Sequence, residues 1–276
     1  MIDKLGRDIT YLRISLTDKC NLRCRYCMPA EGVCKRTHQE MMNEDEVVAA
    51  VEVAAALGIR KIRLTGGEPL VKKNIVSICR RVAAVEGIRE VCLTTNGLLL
   101  PQLAPELRAA GVKRINLSLD TLDPEKYAYI TRIGQLDQFR AGLKAALDAG
   151  FEKVKINAVL IGGFNDDEIE ALAGLTREYP VDMRFIELMP IQDHDEFGES
   201  AYVPSPVFWK SCRMPFPWRR TAAWRSSTGS PVRWATSASS APSTPISAAN
   251  ATACGSPPTE SSSPACTARW NIPSRD

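Results

Sequence analysis

Cys20, Cys24 and Cys27 stand within eight residues, in the run CNLRCRYC, directly after an apolar strand-like segment, Tyr11–Leu16. Thiolates are soft ligands that favour iron–sulfur clusters, zinc and copper(I). Three of them are one short of the set that closes an iron–sulfur cube or a structural zinc site. An incomplete set leaves one metal corner open to a substrate or cosubstrate. Arg23 and Arg25 beside the thiols favour the thiolate form. A zinc site completed by Cys34, or three buried thiols, are the alternatives. Structural zinc more often uses two separated cysteine pairs, so the spacing favours iron–sulfur without excluding zinc.

Further chemistry is scattered along the chain. Gly66-Gly67-Glu68-Pro69 follows a second strand-like run; paired glycines let backbone come close to a ligand, and a carboxylate accepts from a cationic amine. An ordinary strand-to-helix turn accounts for the same four residues. Arg13, Arg63 and Lys155 each interrupt a largely apolar strand candidate. A cation pointing into an α/β core needs a partner, and an anionic ligand is one; the alternative places all three at solvent-facing strand ends. Asn157 and Arg184 carry the same ambiguity, and Met189 either flanks a ligand or fills core. No phosphate-binding loop or dinucleotide fingerprint is present.

The elements that must position these residues alternate. Strand candidates are Tyr11–Leu16, Lys61–Leu64, Glu90–Thr94, Arg114–Leu119, Lys153–Leu160 and Met183–Leu188, each rich in Val, Ile or Leu. Asn43 is placed to cap a helix with Glu44, Asp45 and Glu46 in its first turn and Gly58 as its stop. Further helices fit Lys72–Val85, Gln102–Ala110, Leu136–Ala149 and Asp166–Glu178. Six β-then-α units imply parallel strands joined by right-handed crossovers, as either a doubly wound sheet or a barrel. The informative residues fall just past strand ends, where both architectures place their sites.

The 276 residues carry 35 basic and 32 acidic side chains, a net charge of +3, so nothing overall points to nucleic acid or a membrane surface. No signal segment or membrane span is visible, and a cytoplasmic location is expected. Nine cysteines in a reducing compartment read as ligands or buried thiols rather than disulfides, and two histidines, His38 and His194, leave little for histidine-based catalysis. The pattern divides the chain into 1–204 and 205–276. Beyond residue 204 lie all five tryptophans and only two acidic residues, Glu260 and Asp276, in a Ser-, Ala-, Pro- and Thr-rich stretch without strand or helix period. An irregular, disordered tail is expected there. With allowed codons chosen for Ser247–Thr267, regrouping by one frame can read FCGKCNRLRLTADGKLKPCLH, an amphipathic run with three cysteines. A frameshift beyond about residue 204 explains both observations.

The first cysteine run, with Tyr26 in its aromatic position, and Gly66-Gly67-Glu68-Pro69 together resemble the radical S-adenosylmethionine (SAM) superfamily. The segments LRISLTDKCNLRCRYCMP, KIRLTGGEPL, LTTNG, NLSLDTL, EKVKINAVL and MRFIELMP further resemble its GTP 3′,8-cyclase family of molybdenum-cofactor biosynthesis, from about residue 5 to 204. The resemblance implies an α/β fold, an incomplete (βα)6 TIM-type barrel. It implies a 4Fe–4S cluster on Cys20, Cys24 and Cys27, SAM against Tyr26, Gly67, Ser118 and Met189, and GTP against Arg13, Arg63, Thr94 and Lys155. Reductive SAM cleavage would give a 5′-deoxyadenosyl radical that takes hydrogen from the ribose 3′ carbon, and the carbon radical would then attack carbon 8 of guanine. The frame-recovered run resembles that family's second cluster motif. As written, Cys254 and Cys266 have the wrong spacing for it, so one cluster and impaired cyclisation are expected. The resemblance further implies an electron donor and allows a homodimer.

Overall fold

The computed structural model describes residues 2–4, 6–32, 41–188, 197–204, 232–235 and 254–256. Six strands form in the expected places: β1 (Asp8–Ser15), β2 (Lys61–Thr65), β3 (Glu90–Thr95), β4 (Val112–Ser118), β5 (Lys153–Leu160) and β6 (Val181–Glu187). Between and after them run α1 (Glu44–Ala56), α2 (Ile75–Ala84), α3 (Leu100–Ala109), α4 (Pro124–Thr131), α5 (Leu136–Asp148) and α6 (Ile169–Glu178). Asn43 caps α1 as its sequence predicts: its side chain accepts from Glu46 N at 3.0 Å while Glu46 Oε2 accepts from Asn43 N at 2.8 Å. Helix α4 was not anticipated, although Asp123-Pro124 carries its signal; the Asp123 carboxylate accepts from Glu125 N and Lys126 N, and proline occupies the first turn.

Strand order resolves the choice between sheet and barrel. β1 to β6 pair in parallel and strictly in sequence, and β1 is not hydrogen-bonded to β6. A doubly wound sheet needs a reversal of strand order, which would send helices to both faces. Without one, right-handed crossovers keep every helix on one side. The helices accordingly pack side by side, α1 on α2, α2 on α3 and, past the short α4, α3 on α5. The result is an open, incomplete (βα)6 barrel.

Two short strands extend it at the edges: β7 (Val232–Ala235) pairs in parallel with β6, and β8 (Cys254–Ser256) antiparallel with β1. Sequence periodicity gave no strand in this stretch. Ladder hydrogen bonds use backbone alone, and an exposed sheet edge recruits chain with little regard for side-chain pattern. The rest of 205–276 lies outside the described residues.

The strands alternate sharply. Leu12, Ile14, Ile62, Leu64, Leu93, Ile115, Leu117, Ile156, Met183 and Phe185 are buried against the helices. The other face is polar, and its residues lie in register. Arg13 stands beside Arg63, then Cys92, Arg114 and Lys153; one step up, Thr94 stands beside Asn116, Lys155 and Asp182; above them Ser118 stands beside Asn157 and Arg184. Parallel strands covered on both faces read as continuous apolar runs. Polar alternation across successive parallel strands therefore marks a concave face with something other than hydrocarbon to meet.

Candidate cofactor and substrate site

The chain leaves β1 into the cysteine loop, and three neighbouring loops hold it. From the β2 end, Gly67 N donates to Thr17 O at 2.6 Å and Glu68 N to Lys19 O at 2.8 Å. A Cβ at Gly67 would collide with the carbonyl oxygens of Asp18 and Lys19. The close approach the glycines allow is thus to the cysteine loop itself. Gly67→Ala is expected to force these loops apart, costing roughly 1–3 kcal/mol as overpacking does. A lower melting temperature of the metal-free chain, with less iron retained after reconstitution, would be measured.

Glu68, only 1% exposed, accepts from Leu70 N at 2.9 Å, Thr95 Oγ1 at 2.8 Å and Asn96 N at 2.7 Å. Its acceptors are thus occupied by the protein, joining the β2 and β3 loops. Burial raises its pKa, against the pull of those donors. Asn96 then reaches the cysteine loop, donating to Asn21 Oδ1 at 2.7 Å and lying 3.9 Å from Cys20 Sγ. From the β4 end, Asp120 accepts from Tyr26 Oη at 2.8 Å and from Val159 N at 2.8 Å. Asn165 Nδ2 bonds the Asp120 carbonyl at 2.7 Å. Burial pushes the Asp120 carboxyl up to about 6 and the Tyr26 hydroxyl well above its ordinary range.

None of the three cysteines of the loop is in a disulfide. Burial raises the pKa of each: Cys24 lies well above the ordinary range, through burial first, then Asp120, Cys27 and Cys20; Cys27 is raised by burial, then Cys20 and Asp120; and Cys20 by burial, with Glu68 adding to it. The expectation that Arg23 and Arg25 favour thiolate is corrected. Arg23 lowers Cys20 only weakly against burial, and the Arg25 guanidinium stacks 4.0 Å over the Tyr129 ring. Thiols whose charged form is disfavoured in this way become thiolates once a metal group brings the positive charge. Among the described residues no three His, Cys, Asp or Glu side chains are gathered tightly enough for a single ion.

Below the loop, the concave face is cationic and under-partnered. Arg13 Nε, Arg63 Nε, Thr94 Oγ1, Asn116 Nδ2 and Asn157 Oδ1 are buried without a hydrogen-bond partner. Each such atom is costly unless something accepts or donates to it. Arg13 Nη2 lies 3.5 Å from Thr65 Oγ1, and Arg63 is 5.4 Å from the Tyr11 ring centroid. Lys155, 7% exposed, lies 3.6 Å from Asp182, yet its pKa falls to about 7. Burial is the main cause, followed by the Arg184 charge, with Asp182 opposing. The solvent-facing alternative for these cations is therefore wrong, because the strand alternation that buries Ile62, Leu64 and Ile156 turns their neighbours inward.

Arg13, Arg63, Thr94 and Lys155 thus share one concave surface, while Tyr26, Gly67 and Ser118 sit at its strand C-terminal rim. Met189, Cys34, His38 and His194 lie outside the described residues. Asn116, 1% exposed, was overlooked; its signal is one amide inside the apolar run RINLS.

Three open thiols on the C-terminal rim of an incomplete parallel barrel, above an under-partnered polar face, define the class of α/β barrels built around a thiolate-bound cluster. The family model of the radical SAM superfamily matches residues 14–176, and the chain belongs to that superfamily. Membership brings a 4Fe–4S cluster and SAM as cofactors. The chain is 55% identical over 190 residues to a protein of Peptoclostridium acidaminophilum named GTP 3′,8-cyclase, covering 69% of this chain and 58% of that one. It is 53% identical over 205 residues to a protein of the same name from Moorella thermoacetica, covering 74% and 63%. The chain therefore spans about six-tenths of the length of these relatives. Among solved structures, SuiB of Streptococcus suis bound to precursor peptide SuiA matches with a TM-score of 0.59 at 20% identity, over 70% of this chain and 42% of that one. Methylornithine synthase (PylB) matches with 0.56 at 18% identity, over 71% and 60%. These two likenesses concern the fold. Among the described residues no helix is long and apolar enough to cross a membrane.

Proposed function

We propose that this chain carries the radical SAM half of a GTP 3′,8-cyclase. The observation that carries the reading is the set of buried, unpartnered Arg13, Arg63, Thr94, Asn116 and Asn157 atoms on one concave face, with Lys155 among them. The names of the relatives supply the substrate that fits it: a triphosphate offers oxygen acceptors to the cations, and the nucleoside offers donors and acceptors to the amides.

In this reading Cys20, Cys24 and Cys27 hold the 4Fe–4S cluster; Tyr26, Gly67, Ser118 and Met189 bind SAM; and Arg13, Arg63, Thr94 and Lys155 bind GTP. The cluster, when bound and reduced, supplies the electron that cleaves SAM and so begins the radical chemistry. The chain's own work is to hold the two ligands. Glu68 and Asp120 fix the loops around the thiols, the concave cations orient the nucleotide by its phosphates, and the barrel wall limits water. An electron donor, a cytoplasmic setting and a homodimer all agree with this reading.

The division into 1–204 and 205–276, with a shifted frame in the second part, belongs to the same proposal. The relatives' matches, which span 190–205 residues, support it, and so does the cysteine motif recovered by regrouping codons. Resequencing the gene region tests the frame directly; a single intact frame through codons 247–267 overturns it.

The function is tested by anaerobic reconstitution of the full chain, followed by assay of 5′-deoxyadenosine with and without GTP. About four irons per chain, one cluster, are expected, with SAM cleavage and GTP binding but little cyclised nucleotide. Zinc or no metal at the loop overturns the cluster assignment, absence of GTP binding overturns the substrate, and about eight irons overturn the frameshift.

A further inference from the structure

Helix α4 ends at Thr131, and the chain leaves it through Arg132, whose φ of 64° and ψ of −36° make it the one non-glycine residue with positive φ among the described residues. A residue bearing a Cβ is strained there, and glycine would not be. The side chain explains why an arginine is nevertheless held in place. Arg132 Nη1 donates to Arg23 O at 2.8 Å and to Met28 O at 2.9 Å. Those carbonyls belong to the residue immediately before Cys24 and the residue immediately after Cys27, so one guanidinium brackets two of the three thiols.

The backbone leading to Arg132 grips the same loop. Thr131 O accepts from Arg23 N at 3.1 Å, and Ile130 O accepts from Arg25 N at 2.9 Å. The turn that sets this geometry is itself fixed: Thr131 Oγ1 donates to Tyr127 O at 2.7 Å and accepts from Gly134 N at 3.1 Å. A Cβ on Gly134 would lie 2.8 Å from the Leu22 side chain. Strain in the backbone at 132, with the strained residue's side chain spent on the loop that carries the thiols, is a combination that neither feature alone would explain.

We propose that Arg132 is a positioning residue which clamps the cysteine loop in its ligand-presenting shape, an inference that rests on the cluster reading above. It acts through the carbonyls that flank Cys24 and Cys27. The strained backbone is retained because a glycine, relaxed at this φ, has no side chain to make the bridge.

Arg132→Gly removes the strain and the clamp together, so the two contributions show as different responses of stability and of cluster retention. The full chain is reconstituted anaerobically in wild-type, Arg132→Gly and Arg132→Lys forms. Three readouts are taken: melting temperature of the metal-free chain, rate of iron loss to a chelator, and the electron paramagnetic resonance spectrum of the reduced cluster. Arg132→Gly is expected to melt no lower than wild type while losing iron about ten-fold faster, the scale of change seen when partners around metal ligands are removed. Its spectrum is expected to broaden as the loop samples several shapes. Arg132→Lys, which keeps a donor for the two carbonyls, is expected to recover most of the retention.

If Arg132→Gly holds iron as well as wild type with an unchanged spectrum, the inference fails while the cluster reading stands. If melting temperature and iron retention fall together, Arg132 is only scaffolding and the inference also fails. A wild-type chain that binds no cluster overturns the cluster reading and this inference with it.

Discussion

Cys24→Ala is expected to abolish cluster binding while leaving the metal-free fold almost untouched. Cys24 is the most strongly perturbed of the three thiols, raised by burial and then by Asp120 and both other cysteines. It lies outside the hydrophobic core that packs the strands against the helices. Removing its sulfur therefore costs little packing, so stability should stay within about ±0.5 kcal/mol of wild type. Losing partners around a metal ligand typically costs about 10–100-fold in affinity, and losing the ligand itself costs more. Iron should fall from about four per chain to a trace, and 5′-deoxyadenosine should disappear. Iron analysis and a thermal melt on the same preparation check both halves. A variant that keeps its iron and spectrum would mean that other residues hold the cluster.

Arg63→Ala is expected to weaken GTP binding strongly and to leave the metal-free chain as stable as wild type or more so. Its guanidinium nitrogen is buried without a hydrogen-bond partner, next in register to Arg13. Deleting it removes an uncompensated polar group from the folded state. It also removes one charge-assisted contact to phosphate, worth about 1.5–3 kcal/mol, or roughly ten- to hundred-fold in affinity. Opposite signs for stability and binding mark a group kept for a ligand rather than for the fold. Calorimetric titration with GTP, beside a melt, measures the two. Unchanged affinity would remove Arg63 from the substrate site.

Lys155 adds a pH signature to that site. In the free protein its pKa is about 7, lowered chiefly by burial. A phosphate group beside it favours the charged form, so the pKa is higher in the complex. The contribution of Lys155 to affinity is then fully present below about pH 7 and is lost as pH rises through the higher value in the complex. The affinity should fall by at most about ten-fold per pH unit over that window. Lys155→Arg stays charged and should flatten the profile. Equal slopes for wild type and variant would exclude Lys155 from phosphate binding.

The sequence located the machinery without its arrangement. The cysteine spacing, the glycine pair and the strand-borne cations were legible because thiolate chemistry, tight backbone approach and an interrupted apolar run leave marks in residue type and order. The helix cap at Asn43 was legible for the same reason, since a capping box lies within four residues. Helix α4 escaped notice because it is short and its signal is a single Asp-Pro step. β7 and β8 left no mark at all, because their pairing is made by backbone.

What the tertiary structure alone decided was which way side chains face and what each polar group already holds. Arg13, Arg63, Thr94 and Lys155 are separated by up to 142 positions in sequence, yet strands in register turn them to one surface. Glu68 read as a ligand group, but the fold supplies it with three donors of its own. Arg23 and Arg25 read as activators of the thiols, but burial outweighs the one and an aromatic ring occupies the other. Sequence order determines which groups are available and the local geometry they favour. Their pairing, burial and charge balance depend on neighbours brought together only when the chain folds.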